Sequence, residues 1–192
     1  PSIPVLPLSW GDAKPLLENI GGMDVPEGWA GALNITYKIG GVDAIVNMSV
    51  NLNYTVVTGH NVIAKITGDV EPEKIVHAGA HYDAWVYGTS DDVSGVAAIL
   101  ETARGYSELM AQGWKPRRSI WLHAWDGEEQ GLIGSTMWAE ANADILIKNS
   151  VCYLNADSGV SGGNFGAAAT PSLASLVREI AGIVPYPGDT SK

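Results

Sequence analysis

Lys74-Ile-Val-His-Ala-Gly-Ala-His81-Tyr82-Asp83 is the stretch on which the fold turns. Its first seven residues are mostly apolar and small, the composition of a strand packed inside a sheet, and a histidine and an aspartate follow where that run ends. Upstream, Asn61 to Thr67 reads as another strand and Gly68 to Pro72 as a turn. Downstream, Val96, Ile99, Leu100, Ala103 and Tyr106 recur at helical spacing, predicting a helix from Gly95 to Gly113. A strand over Arg118 to Ala124, a helix over Gly131 to Ala143, a strand over Val151 to Leu154 and a helix over Pro171 to Ile183 complete the pattern. Strands alternating with helices predict an α/β fold: a mixed, mostly parallel sheet with helices on both faces. In such sheets ligands bind beyond the carboxyl ends of the strands.

That is where the acidic and imidazole side chains fall. His81 and Asp83 follow one strand, Glu128 and Glu129 another, and Asp157 a third, while Asp91 precedes a helix. One imidazole with several carboxylates suits zinc, and a shared carboxylate suits two zinc ions held close together. In His-X-Asp the aspartate can bond the ring nitrogen turned away from a metal, fixing the tautomer. Glu128 and Glu129 are neighbours and point apart, so one can hold metal while the other faces an attacking water. The set points to metal-assisted hydrolysis, with a peptide bond the natural target. Taken singly, each residue has a plainer reading. Asp91 or Asp92 can cap the following helix, paired glutamates complement a helix dipole, and Asp157 is a turn residue. A two-zinc site of this kind wants a second histidine, and none follows Asp157.

The other histidines and the aromatic residues read as structural. His77 and His123 lie inside strands, His60 has no acidic neighbour, and Trp121, Trp125 and Trp138 are expected in the core. Cys152, the one cysteine, sits in an apolar run and reads as a buried inert thiol. A net charge of -10 excludes a phosphate-backbone surface, so no nucleic acid is expected as a partner. No apolar run reaches the length of a membrane span. The chain opens at Pro1 without a methionine or signal peptide and reads as a piece of a longer product.

Residues 1 to about 30 are rich in Pro and Gly, with one helix expected over Trp10 to Ile20. Between residues 31 and 57, Leu33 to Tyr37 and Val46 to Leu52 alternate apolar and polar side chains, predicting half-buried antiparallel strands. Sequons at Asn34, Asn47 and Asn53 crowd this segment and make N-glycosylation, and so a secretory-pathway protein, the expectation. Its setting would be extracellular, vacuolar or a membrane-anchored ectodomain.

The set His81-X-Asp83, Asp91-X-X-Ser-Gly95, Trp125-Asp-Gly-Glu-Glu129 and Asn155-Ala-Asp-Ser158 resembles the M28 zinc peptidases. Pro1 to Val5, Gly113-Trp-Lys-Pro-Arg-Arg118 and Gly134 to Glu140 resemble the glutamate carboxypeptidase II and transferrin receptor branch in particular. The resemblance implies two Zn2+ ions. His81 and Asp157 would hold one, Asp91 would bridge both, Glu129 would hold the second, Glu128 would be the general base, and Asp83 would support His81. It implies a cis peptide between Asp91 and Asp92. It makes residues 1–56 the C-terminal part of a protease-associated domain, a β-rich tail, and residues 57–192 the first part of the peptidase domain. The activity implied is that of a metallo-carboxypeptidase-like exopeptidase acting on a peptide substrate. An aminopeptidase, a hydrolase of another amide, or a non-catalytic receptor ectodomain of the same fold are the alternatives. The last is disfavoured because every ligand expected in this range is kept. One acidic position of the family's calcium site is Met137 here, while Glu140 matches another. The remaining C-terminal part of the same protein, as a separate chain, would supply the missing histidine, and the polar stretch from Pro185 to Lys192 reads as an exposed nicking point or boundary. Branch members also pair as homodimers through a downstream helical domain.

Overall fold

The computed structural model describes residues 3–41, 44–160 and 162–186. The chain divides into two compact units, one within residues 1–56 and one within residues 57–192. The turn-rich stretch expected at 187–192 and the motif residues Pro1 and Ser2 lie outside the described residues.

The first unit holds helix α1 (Trp10–Glu18) and a short antiparallel pair, β1 (Gly22–Asp24) and β2 (Lys38–Gly40). Ser9 starts α1 by accepting the Asp12 N–H on its hydroxyl, and Asn19 ends it. The strands expected from the alternation over residues 31–57 do not form beyond β2. Ile45, Val46, Leu52, Tyr54 and Val56 are exposed, so the alternating face has no sheet partner among the described residues against which to pack. Period-two patterning makes a strand only when a neighbouring strand takes up the backbone groups. The β-rich character expected of residues 1–56 is therefore reduced to β1 and β2.

The second unit is built on a four-stranded sheet of β3 (Val62–Ile66), β4 (Glu71–His81), β5 (Arg118–Trp125) and β6 (Ser150–Asn155), ordered β3-β5-β4-β6. β5, β4 and β6 run parallel, and β3 joins the edge antiparallel to β5. Helix α2 (Val93–Ala111) links β4 to β5, while α3 (Ile133–Ala141) and α4 (Ala143–Asn149) link β5 to β6. Right-handed connections running in opposite directions along the sheet put α2 and the α3–α4 pair on opposite faces. A 3-10 turn (Pro171–Leu173) leads into α5 (Ala174–Ile183). The fold class expected from the sequence is thus the one observed. Its details differ where local signals are weak. β4 begins at Glu71, inside the expected turn, and the single helix expected over 131–143 becomes two helices meeting at Asn142.

β4 lies inside the sheet, and its Ala78-Gly-Ala80 run is small because space there is short. A β-carbon at Gly79 would press on the Tyr153 hydroxyl and the Trp125 indole. Ile75, Ala80, Leu122 and Trp125 are buried, together with His77 and His123. The two imidazoles are linked, His77 Nδ1 to His123 Nε2, at 2.9 Å, and His77 Nε2 meets Ser150 Oγ at 2.9 Å. Trp125 stacks on His123, and Trp121 and Trp138 pack around the pair. His123 Nδ1 alone among the buried side-chain nitrogens and oxygens of the described residues has no partner. Burial, then the neighbouring His77 and Lys65, lowers the pKa of His123 to about 4, so the core holds a neutral ring. Cys152 is half-buried rather than buried, and burial raises its thiol pKa.

Candidate metal centre

β4 delivers His81 to the carboxyl edge of the sheet, where the ring is almost wholly buried. Its Nδ1 lies 3.0 Å from the Asp83 backbone carbonyl. A carbonyl only accepts, so Nδ1 carries the hydrogen and Nε2 is the nitrogen free to bind. That Nε2 faces three carboxylates: Asp91 Oδ1 at 2.8 Å, Glu128 Oε2 at 3.7 Å and Asp157 Oδ1 at 3.9 Å.

The support expected from Asp83 takes another form. Its carboxylate stands 3.6 Å from His81 Nδ1, beyond a hydrogen bond. It accepts instead the backbone N–H groups of Glu128 and Glu129, at 3.0 and 3.1 Å, one on each oxygen. Asp83 therefore holds His81 by its main chain and the turn after β5 by its side chain.

Asp91 and Asp92 divide the two roles available to them. The peptide bond between them is cis. Asp91 presents its side chain to His81, while Asp92, wholly buried, caps α2 through Gly95 N–H at 2.9 Å. Asp92 also accepts His81 N–H at 3.2 Å and Ser158 N–H at 3.0 Å. One carboxylate thus ties together the end of β4, the start of α2 and the loop after β6. Nothing in the sequence distinguished this triple acceptor from an ordinary helix cap. Gly95 must be glycine for this junction, since a β-carbon there would collide with the Ala156 carbonyl and the Asp92 carboxylate.

The electrostatics follow from this crowding. Burial disfavours a charged His81, yet the Asp83 carbonyl and the Asp91, Asp92 and Glu128 carboxylates outweigh it and raise its pKa. Glu128 is raised by burial and by the charges of Asp157, Glu129 and Asp83, with His81 opposing. The group is a pool of negative charge around one nitrogen, stabilised by a proton on Nε2 or by a cation in its place.

The donor set fits zinc. Ligand atoms of His81, Asp91 and Asp157 all lie within 4.8 Å of one another. Tetrahedral zinc, with ligand distances of about 2.0–2.1 Å, sets neighbouring donors roughly 3.3 Å apart. The His81 separations of 2.8 and 3.9 Å from Asp91 and Asp157 bracket that value, so small side-chain rotations suffice. Of the residues expected at the site, His81, Asp91, Glu128 and Asp157 converge. Glu129 stands apart from the three-residue cluster and shares a neighbouring recess with Asp91. Asn34, Asn47 and Asn53 are exposed in the first unit.

The model of peptidase family M28 matches residues 61–184. A probable glutamate carboxypeptidase of Zea mays, VP8, is 40% identical over 193 residues, an overlap covering all of this chain and 27% of the relative. A rat aminopeptidase, NAALADL1, is 37% identical over 201 residues, covering 99% of this chain and 27% of its own length. Among solved structures, an aminopeptidase from Aneurinibacillus sp. strain AM-1 is 33% identical with a TM-score of 0.44, over 50% of this chain and 23% of that one. The chain spans about a quarter of the length of these curated relatives. The family match runs from the strand before β4 through α5, and so takes in every residue that converges on His81: the chain belongs to peptidase family M28.

Proposed function

We propose that this chain carries one part of the active site of a di-zinc exopeptidase of the carboxypeptidase type. The convergence of Asp91, Glu128 and Asp157 on His81 Nε2 carries the reading. His81 and Asp157 would hold one zinc ion, Asp91 would be shared, and Glu129 would hold the second with a histidine from a further stretch of the same protein. Zinc bound there supplies Lewis-acid polarisation of the scissile carbonyl and an acidified water. Glu128 takes the proton of the attacking water and passes it to the leaving amine. Its raised pKa suits a group that must gain a proton and give it up again. Asp83 keeps Glu128 in reach of both partners by fixing its backbone.

Residues 1–56 are proposed to be the end of a protease-associated domain and residues 57–192 the start of the peptidase domain. The exposure of Asn34, Asn47 and Asn53 supports glycosylation and a place in the secretory pathway. A mass shift on treatment with peptide N-glycosidase tests this, and its absence in protein secreted by a eukaryotic host would refute it. Aminopeptidase action is the second reading, favoured by the name of the rat relative.

Elemental analysis of zinc decides the main proposal. Close to two ions per chain are expected when the remainder of the protein is co-expressed. No zinc under that condition would remove the metallopeptidase reading and leave a binding ectodomain.

A further inference from the structure

Glu128 and Glu129 stand on the stretch that leaves β5 at Asp126 and enters α3 at Gly134, and a residue outside the expected metal set closes the base of that stretch. β3 runs antiparallel to β5 with Val62 opposite Ala124, so His60 and Asn61, just before β3, are set beside the end of β5. Asn61 Oδ1 accepts the Asp126 N–H at 3.1 Å, and Asn61 Nδ2 donates to the Gly134 carbonyl at 2.8 Å. The Gly134 N–H donates in turn to the Asp126 carbonyl at 3.0 Å, closing a ring of Asn61, Asp126 and Gly134. A β-carbon at Gly134 would collide with Asn61 Oδ1 and the Asp126 carbonyl, so the helix start and the strand end approach as closely as glycine permits.

The chemistry of the ring selects asparagine. An amide N–H only donates and a carbonyl only accepts, so the position needs an acceptor and a donor side by side, which a short primary amide supplies. Aspartate would keep the bond from Asp126, lose the donor and set a charge against the Gly134 carbonyl. His60 adds two main-chain bonds: its N–H reaches Asp126 Oδ2 at 2.7 Å, and its carbonyl accepts the Tyr82 hydroxyl at 2.5 Å. Tyr82 lies between His81 and Asp83, so the same clip joins the metal-facing end of β4 to the base of the glutamate stretch. Asp83 holds that stretch farther along, at the N–H groups of Glu128 and Glu129.

We infer that Asn61 is a positioning residue for Glu128: by closing the ring with Asp126 and Gly134 it fixes the arm from which Glu128 reaches toward His81. The inference rests on the peptidase reading and adds to it a residue at the sheet edge. Glu128 Oε2 stands 3.7 Å from His81 Nε2. With the ring open this carboxylate would wander relative to the water it deprotonates, and a misplacement of about 1 Å can cost roughly 10²-fold in rate.

The test uses the zinc-loaded longer protein that carries this chain, or this chain co-expressed with its remainder, so that the site is complete. Asn61→Ala opens both bonds. Asn61→Asp keeps the shape and removes only the bond to Gly134, and it stands in should the alanine variant fail to fold. Each should lower kcat by about tenfold or more with KM held within about threefold. Each should also speed hydrogen exchange at the Glu128, Glu129, Gly131 and Leu132 amides by about tenfold or more relative to β4. In a Glu128→Gln background the same substitutions should change kcat by less than about twofold, since two residues that act as one unit are not additive. A lowered melting temperature with kcat unchanged, a full loss that persists beside Glu128→Gln, or exchange that does not move would each overturn the inference. Wild-type protein that cleaves no peptide removes the peptidase reading instead, and amide exchange alone then decides whether Asn61 holds Glu128.

Discussion

Asp83 grips the backbone of Glu128, its Oδ1 accepting the Glu128 N–H at 3.0 Å while Oδ2 takes that of Glu129. The aspartate two residues past one strand therefore sets the position of the glutamates past another. Asp83→Ala frees both amides and loosens Glu128 and Glu129 together. Zinc affinity, read by chelator competition, should fall about 10–100-fold, the range for loss of a ligand's supporting partner. Asp83→Asn keeps one acceptor and should fall less.

Glu128→Gln removes the proposed proton acceptor and keeps the shape. Zinc content should be unchanged while kcat drops by about 10²–10⁴-fold, the range for loss of a general base. Unimpaired turnover in this variant would reassign the role.

Asp92 should matter more for stability than for chemistry. Its carboxylate satisfies three backbone N–H groups, and each buried donor left alone costs about 1–3 kcal/mol. Asp92→Ala should lower the unfolding free energy in urea by at least about 3 kcal/mol. Gly95→Ala, which drives a methyl into the Ala156 carbonyl, should cost about 1–3 kcal/mol or more by overpacking.

His123 predicts a pH dependence of folding. Its folded pKa is about 4, below the roughly 6.5 of an unfolded histidine. The unfolded chain therefore takes up this proton first, and stability present above about pH 6.5 is lost as pH falls toward 4, by about 3 kcal/mol in all. His123→Gln should flatten the urea-denaturation stability profile between pH 5 and 7. His81, whose pKa is raised, contributes with the opposite sign, its stabilisation being lost as pH rises through its folded value. Measuring the variant in a His81→Ala background removes that opposing term and leaves His77, which burial also lowers, acting with the same sign as His123.

The parallel sheet was legible because β4, β5 and β6 are apolar runs separated by periodic helical segments, a pattern that leaves little choice of topology. The candidate site was legible for the same reason: strand ends are easy to find, and His81, Glu128 and Asp157 lie at or just past three of them. Three features were not. Asp83 and Asp92 act by accepting backbone N–H groups from segments distant in sequence, and composition carries no mark of which amide a carboxylate will meet. The alternation of residues 46–52 signalled a sheet whose partner strand is not among the described residues. The break between α3 and α4 falls at Asn142, where apolar periodicity continues on both sides and only the backbone turns.

The triple bond of Asp92 also couples cation uptake to folding. His81, Asp91 and the loop bearing Asp157 meet only where that buried carboxylate joins them, so an unfolded chain offers no comparable set of donors. A cation that binds the assembled set alone adds RT ln(1 + [M]/Kd) to the unfolding free energy, about 2.7 kcal/mol at a concentration of 100 Kd. Metal supply would then set how long the folded chain resists unfolding and the proteolysis that follows it.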